Sequence, residues 1–386
     1  MKHTLKLCVV TTHPIQYMAP WFRSLAQDAR LTIEVIFFRE LNAMQQGQGF
    51  GQSFQWDVPL RQGYPSKVLD VQPGWRRVLS LMLRLRKALR LNRPDALLIT
   101  GWNEPGLVVA YALAVVMRIP ILVRGESNDL RPRTRATRFI HRTLLRCASG
   151  VLVIGKANQN FYLNNGVPPH RIFEGVYFVE SERMIGMAAE HAGEIAALRQ
   201  RAGFTDQDFV FCFVGKHVAF KRPMLLVEAA AQVRESGWPV KLHFAGSGEL
   251  AESLKLRAEA LRVPTNFTGF LNQTEMWKAY LPADAFVLPS DNGETWGLVT
   301  NEAMLFGLPV IVSDQVGCGP DLVIAGETGF IFAGGAQGLA EAMTQMLQYR
   351  SESKQMGLKA RERVLEHFSM QKATQGLLAA LATVSE

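Results

Sequence analysis

The chain has 386 residues, 48% hydrophobic and 20% charged, with no low-complexity tract, which supports two or three domains with full cores and excludes an extensively disordered protein. A formal net charge of +8 points to acidic ligands: phosphates, an anionic membrane surface or nucleic acid. The longest apolar segment, 106–117, is shorter than the roughly 20 residues that span a bilayer, and the start MKHTLKLCVVTTHP reads as a first strand, so a cytoplasmic protein, soluble or peripheral, is expected. Of the four cysteines, Cys8 and Cys212 lie in apolar runs and no C-x-x-C pair occurs, which reads as structural thiols in a reducing compartment.

Apolar strand-like runs alternate with helix-like patterns along the whole chain, the signature of α/β architecture with parallel sheets. Strands are predicted at 5–11, 32–38, 96–100, 120–124 and 150–154, with helices at 15–27, 75–91, 104–117, 134–147 and 156–164. Residues 39–66, rich in Gly and Gln, read as a long irregular loop, a length that is usually functional or mobile. After a helical connection at 181–203 a second strand series follows at 209–214, 240–245, 266–268, 285–289 and 309–313. Its helices are predicted at 224–236, 250–261, 274–280, 296–306 and 336–347, and two more, 351–367 and 371–384, close the chain. The pattern gives two doubly wound, Rossmann-like domains facing each other across a cleft, hinged near 180–200. In such sheets ligands sit at the carboxyl ends of the strands.

Three stretches at those ends carry chemistry. In FCFVGKHVAFKRP, Gly215 permits a tight turn and Lys216 and Lys221 flank the next helix start; the pair suits a diphosphate, although a solvated basic turn has the same composition. HFAGSGEL places Gly246 and Gly248 between strand and helix, but position 251 is Ala, so the third glycine of a dinucleotide fingerprint is missing. A close backbone approach to a base or phosphate fits better. LPSDNGETWGLVTNEAMLFGLPVIVSD holds Glu294 and Glu302, with seven residues between them, around a helix start whose backbone N–H groups at Gly297, Leu298 and Val299 could face an anion. Carboxylates repel phosphate but accept from sugar hydroxyls, so lysines and glutamates together suit a diphosphate flanked by polyhydroxylated groups. Asp206-Gln207-Asp208 has the form of a D-x-D metal signature, but it precedes a strand and reads as a polar turn; no metal site is predicted.

Residues 209–335 resemble the retaining glycosyltransferases of family 4, which have the GT-B fold. The resemblance runs through VGKHVAFK, HFAGSGEL, FTGFL, ADAFVLPS, the E-x7-E stretch and GPDLVIAGETGFIF. It implies that Lys216 and Lys221 bind the donor diphosphate, that Glu302 holds the ribose hydroxyls and that Glu294 contacts the transferred sugar. Gly297, Leu298 and Val299 would present amides to phosphate, with Gly215, Gly246 and Gly248 in the turns around it and the Gly269-Phe270 turn lining the base. The first half matches less closely: TTHPIQYMAP stands where many members carry a glycine-rich loop, which brings His13, Gln16 and Tyr17 toward the ligand. His13 either acts at the reacting centre or shapes the turn. In VRGESNDL, where relatives often place a histidine, Glu126 or Asp129 stands as an acceptor contact or as loop structure.

Two stretches are strongly basic. One carries Arg76, Arg77, Arg84, Arg86, Lys87 and Arg90, the other Arg131, Arg133, Arg135, Arg138, Arg142 and Arg146. Either is a solvated helix face or a surface for anionic lipid. Neither carries a series of aromatics for base stacking, and nucleic acid is not expected as a partner.

The expectation is therefore a metal-independent glycosyltransferase without cofactor. It would use a nucleotide-diphosphate sugar and a sugar or lipid-linked acceptor, in cell-surface polysaccharide or glycolipid assembly, and sit in the cytoplasm or peripherally at the inner face of the membrane. Residues 1–185, completed by a C-terminal helix at 369–386, would form the acceptor side, and residues 200–368 the donor domain. The rivals are an epimerase or phosphorylase on the same fold, or a non-catalytic nucleotide-sugar-binding relative.

Overall fold

A computed structural model describes residues 4–70 and 78–385. The first sheet has seven parallel strands: β1 (Leu5–Thr11), β2 (Leu31–Phe37), β3 (Ser66–Val68), β4 (Ala96–Ile99), β5 (Ile121–Val123), β6 (Gly150–Val153) and β7 (Ile172–Glu174), in the order β3-β2-β1-β4-β5-β6-β7. The second has six: β8 (Phe209–Val214), β9 (Val240–Ala245), β10 (Thr265–Gly269), β11 (Ala285–Leu288), β12 (Val310–Ser313) and β13 (Gly329–Phe332), in the order β10-β9-β8-β11-β12-β13. Central strands such as FVFCFV at β8 are buried along their whole length. Helices cover both faces of such a sheet, which is why these runs are continuously apolar rather than alternating.

Each sheet organises its own compact unit. The described residues within Met1–Asn42, Val58–Tyr177 and Met370–Glu386 form one, and Ala43–Asp57 with Phe178–Ser369 form the other. Helix Met370–Ser385 lies against β6 and β7, close enough that a Cβ on Gly376 would fall 1.6 Å from the Glu174 carbonyl oxygen. Two features differ from the expected division at 185–200. The changeover comes at Tyr177/Phe178, because helix Ser181–Glu190 buries Met184 and packs on helix Leu298–Leu305 of the second unit. Residues Ala43–Asp57, expected inside the first domain, also belong with the second unit.

Local departures have local causes. The helix predicted from residue 15 starts at Ala19, after a turn closed by Met18 N donating to the Ile15 carbonyl. The one predicted at 274–280 splits into a 3-10 turn, Gln273–Glu275, and a short helix, Trp277–Tyr280. Strands β3, β7 and β13 were not predicted; β3 and β7 are three residues each and include Lys67 and Glu174. In the first basic stretch, Arg76 and Arg77 lie outside the described residues, and the helix runs Val78–Asn92.

Helices Val78–Asn92, Pro105–Met117 and Arg135–Arg146 pack their apolar sides into one core with the first sheet, through residues such as Leu85, Leu89, Tyr111 and Leu145. Their other sides leave Leu79, Leu83, Val116, Phe139 and Ile140 exposed among Arg86, Lys87, Arg90, Arg135, Arg138 and Arg142. No helix among the described residues is long and apolar enough to cross a membrane.

Candidate active site

In the second sheet the strand order reverses between β8 and β11, parallel neighbours whose carboxyl ends open into different loops. Such a switch point leaves a crevice for ligands. The loop after β8 carries Lys216 and Lys221, and the loop after β11 carries Glu294. Across the crevice the Lys221 ammonium pairs with the Glu294 carboxylate, which also accepts from Ser290 Oγ at 3.3 Å. Both side chains are mostly buried, at 12% and 15% exposure.

Backbone contacts, not side chains, set the floor of this crevice. Gly215 N donates to the Ala245 carbonyl (2.9 Å), Gly246 N to Gly269 (2.8 Å) and His217 N to Ser247 (2.8 Å), so the loops after β8, β9 and β10 are stitched together in sequence. Gly246 sits at φ +138°, and a Cβ there would fall 1.9 Å from the Gly215 oxygen, which explains a glycine at that point. Lys221 ends a 3-10 turn, Ala219–Lys221, and Arg222 follows in the left-handed region. The Arg222 guanidinium donates to the carbonyls of Pro289 (2.7 Å) and Ser290 (3.0 Å) and to Ser313 Oγ (3.0 Å). It thereby ties the ends of β8, β11 and β12 together and fixes the lysine beside it.

The other predicted residues divide by environment. Gly297 (φ +95°) caps helix Leu298–Leu305, whose first-turn amides at Leu298 and Val299 lack intrahelical acceptors by helix geometry. Glu302, one turn in, is 1% exposed and accepts a 2.8 Å hydrogen bond from Tyr280 Oη. Glu294 is thus in the half-buried loop and Glu302 in the helix interior. Phe270, half-buried, lies against Phe50 and Phe54. Lys216 Nζ donates to the Gln48 carbonyl at 2.7 Å; burial first, then Lys221, holds its pKa below the usual lysine range. Gly248 closes the turn beside it, and Leu250 N donates to the His217 carbonyl (2.9 Å). Next to Lys216, burial brings the His217 imidazole down to about 4, which keeps it neutral.

The first sheet has its own reversal, between β1 and β4. His13 follows β1 and its Nδ1 lies 2.8 Å from Thr12 Oγ1. The nearby Arg39–Glu104 pair is bidentate, at 2.6 and 2.8 Å. Burial, then Arg39, lowers the His13 pKa, while Glu104 opposes the shift. Gln16 and Tyr17 are half-buried in the same turn. After β5, Glu126 is exposed and accepts from the Tyr177 hydroxyl. Arg124 lies beneath, donating to the Gly175 and Val176 carbonyls (3.0 and 3.1 Å) with the Tyr177 ring 4.8 Å from its guanidinium carbon. Asp129 instead takes part in loop structure, accepting from Asn164 Nδ2 at 2.8 Å.

Asp208 accepts from Thr205 N and Oγ1 and pairs with Lys241 at 3.0 Å, at the amino end of β8 and remote from the crevice. Among the described residues no group of three or more His, Cys, Asp or Glu is placed to hold a metal. Sequence reasoning missed Arg222, Ser290, Tyr280 and the aromatics of Ala43–Asp57. Nothing in their local pattern announces them: Arg222, Tyr280 and the aromatics act on residues distant in the chain, and Ser290 is an unexceptional loop serine four residues before Glu294.

A family profile described as Glycosyl transferases group 1 matches residues 194–363, and one described as Glycosyl transferase 4-like domain matches residues 13–173. A sulfoquinovosyl transferase of Arabidopsis thaliana is 27% identical over 311 residues, 74% of this chain; the match spans 56% of that relative, so the chain covers little more than half its length. A glycosyltransferase structure from Rickettsia africae superposes with TM-score 0.78 at 12% identity, covering 98% of each chain. The Anabaena protein HepE, solved with UDP and glucose, gives 0.75 at 18% identity, covering 98% of this chain and 99% of its own. At these identities the structural likeness speaks for the fold.

Proposed function

We propose that this chain, which belongs to the family 4 glycosyltransferases of GT-B fold, transfers a sugar from a nucleotide-sugar donor to an acceptor hydroxyl with retention of anomeric configuration. The observation that carries the reading is the Lys221–Glu294 pair across the switch point, a cation for the diphosphate held against a carboxylate for the sugar. The nucleotide-sugar donor is taken over from relatives, among them the Anabaena protein solved with UDP and glucose.

The barrier to glycosyl transfer lies in separating charge as the diphosphate leaves, and preorganised donors stabilise it best where water is scarce. Lys216, Lys221 and the amides of Leu298 and Val299 supply that charge in the proposal, with no metal or cofactor assigned. Glu294 orients the sugar and Glu302 the ribose, while Gly269-Phe270 lines the base. The departing phosphate helps to deprotonate the acceptor on the same face of the sugar, so no protein nucleophile is assigned. His13 and Glu126 are placed on the acceptor side. Thermal-shift screening with UDP, GDP, ADP and their sugars selects the donor, because a ligand of the folded state raises its apparent stability. Detection of nucleoside diphosphate together with glycosylated acceptor then separates transfer from epimerisation and from binding alone. Binding with no turnover on any acceptor would discard the enzyme reading.

A lipid-linked acceptor is the further part of the proposal, with the chain peripheral at the inner membrane face. Exposed Leu79, Leu83, Phe139 and Ile140 lie among arginines and lysines on the helices of the first unit. Each basic residue near an anionic surface contributes about 1 kcal/mol. The protein is expected to sediment with anionic liposomes at low salt, and Arg86→Ala/Lys87→Ala/Arg90→Ala to lower the bound fraction severalfold. Absence of sedimentation would remove the membrane from the scheme.

A further inference from the structure

In sequence, Ala43–Asp57 lies between β2 and β3 of the first sheet, yet it is tied to strand-end loops of the second unit at four points. Lys216 Nζ donates to the Gln48 carbonyl (2.7 Å), Ser247 Oγ to the Phe50 carbonyl (2.6 Å), Asn272 Nδ2 to the Gln55 carbonyl (2.7 Å), and Thr274 N to the Asp57 carboxylate (3.1 Å). The approach is close on both sides. A Cβ on Gly49 (φ +85°) would come 3.0 Å from Lys216 Cδ, and one on Gly248 would come 2.9 Å from the Gly49 carbonyl oxygen. Glycine on each side therefore lets this strap settle on the loops after β8 and β9.

The anchored backbone fixes three aromatic side chains around Phe270. The Phe50 ring centre lies 5.0 Å and that of Phe54 4.2 Å from the Phe270 ring, and Trp56 lies 4.7 Å from Phe54. Phe50 also links this cluster to the phosphate side, since Lys216 Nζ stands 5.1 Å from its ring centre. A cluster that served as an anchor alone would be expected to close over itself. Here all four rings are half-buried, and Phe50 keeps part of its surface open beside the Lys216 ammonium. Flat π-faces next to an ammonium group suit a heteroaromatic ring joined to phosphate, because base stacking and charge pairing then act on one ligand.

We propose that Phe50, Phe54 and Trp56, together with Phe270, form the recognition platform for the nucleobase of the donor, so that part of the donor site comes from far upstream of residues 194–363. The assignment rests on the reading of Lys216 and Lys221 as diphosphate ligands. It extends that reading by giving the base partners that the second half of the chain does not contain.

The test compares UDP, GDP, ADP and inorganic pyrophosphate by calorimetry on the full chain and on two double variants, Phe50→Ala/Phe54→Ala and Phe50→Leu/Phe54→Leu. For the nucleotide that binds the wild type best, Kd is expected to rise about tenfold in both variants, the leucines filling volume without a π-face. The Kd for pyrophosphate is expected to stay within about twofold. Equal losses for nucleotide and pyrophosphate would mean that the strap merely shapes the lysine loop, and would overturn the proposal. So would unchanged or tighter nucleotide binding in the alanine variant, or full recovery with leucine. A wild type that binds none of the three nucleotides would bring down the donor reading along with it, whereas nucleotide binding indifferent to the substitutions brings down the platform alone. Near-UV circular dichroism of each variant confirms that the proteins compared are folded.

Discussion

Lys221→Ala is expected to lower kcat/KM for sugar transfer about 100- to 1,000-fold, the loss typical of removing one preorganised donor from developing negative charge. The geometry explains why a single ammonium should matter this much. Lys221 closes a 3-10 turn at the carboxyl end of β8, and Arg222 clamps the next position to three groups on neighbouring loops, so the Nζ has little freedom to wander. Glu294 fixes it from the opposite loop. Residues that act as a unit are not additive. Lys221→Ala/Glu294→Ala is therefore expected to fall within about tenfold of the worse single variant, well short of the product of the two losses. Initial rates with saturating acceptor measure both quantities. Turnover like wild type in Lys221→Ala, with melting unchanged, would sink the assignment of the diphosphate to this crevice.

How much of this was legible in the chain depends on the range over which each feature is encoded. Strands β1, β8 and β9 are uninterrupted apolar runs between turn residues, and their observed limits, Leu5–Thr11, Phe209–Val214 and Val240–Ala245, coincide with the predicted ones. Gly215, Gly246 and Glu294 could be singled out because strand-to-helix junctions mark the carboxyl edge of a parallel sheet. Strands β3 and β7 could not, for three residues that include a charge carry no periodicity. The strap shows the same limit at the site. Residues 39–66 read as a Gly- and Gln-rich loop, and nothing local indicates that Gln48 will receive the ammonium of Lys216 or that Phe54 will meet Phe270. Tyr280 and Glu302, 22 residues apart, belong to the same class: a pair that exists once helix Leu298–Leu305 has packed.

That pair separates the two parts Glu302 can play. With the residue 1% exposed and its carboxylate bonded to Tyr280 Oη, Glu302→Ala would open a cavity in the helix interior as well as remove a ribose acceptor, so lost activity in that variant would be ambiguous. Glu302→Gln keeps the volume and retains one carbonyl oxygen for the Tyr280 hydroxyl, but turns the other acceptor into a donor. If Glu302 receives ribose hydroxyls, the donor KM is expected to rise about 10- to 100-fold in Glu302→Gln while kcat changes far less, since binding common to ground and transition states is what has been removed. Tyr280→Phe provides the reciprocal measurement. Removing its hydroxyl leaves a buried carboxylate short of a donor, which should cost about 1–3 kcal/mol of stability with little change in donor KM. A donor KM in Glu302→Gln equal to wild type would reduce Glu302 to a structural partner of Tyr280 and leave the ribose to be held elsewhere.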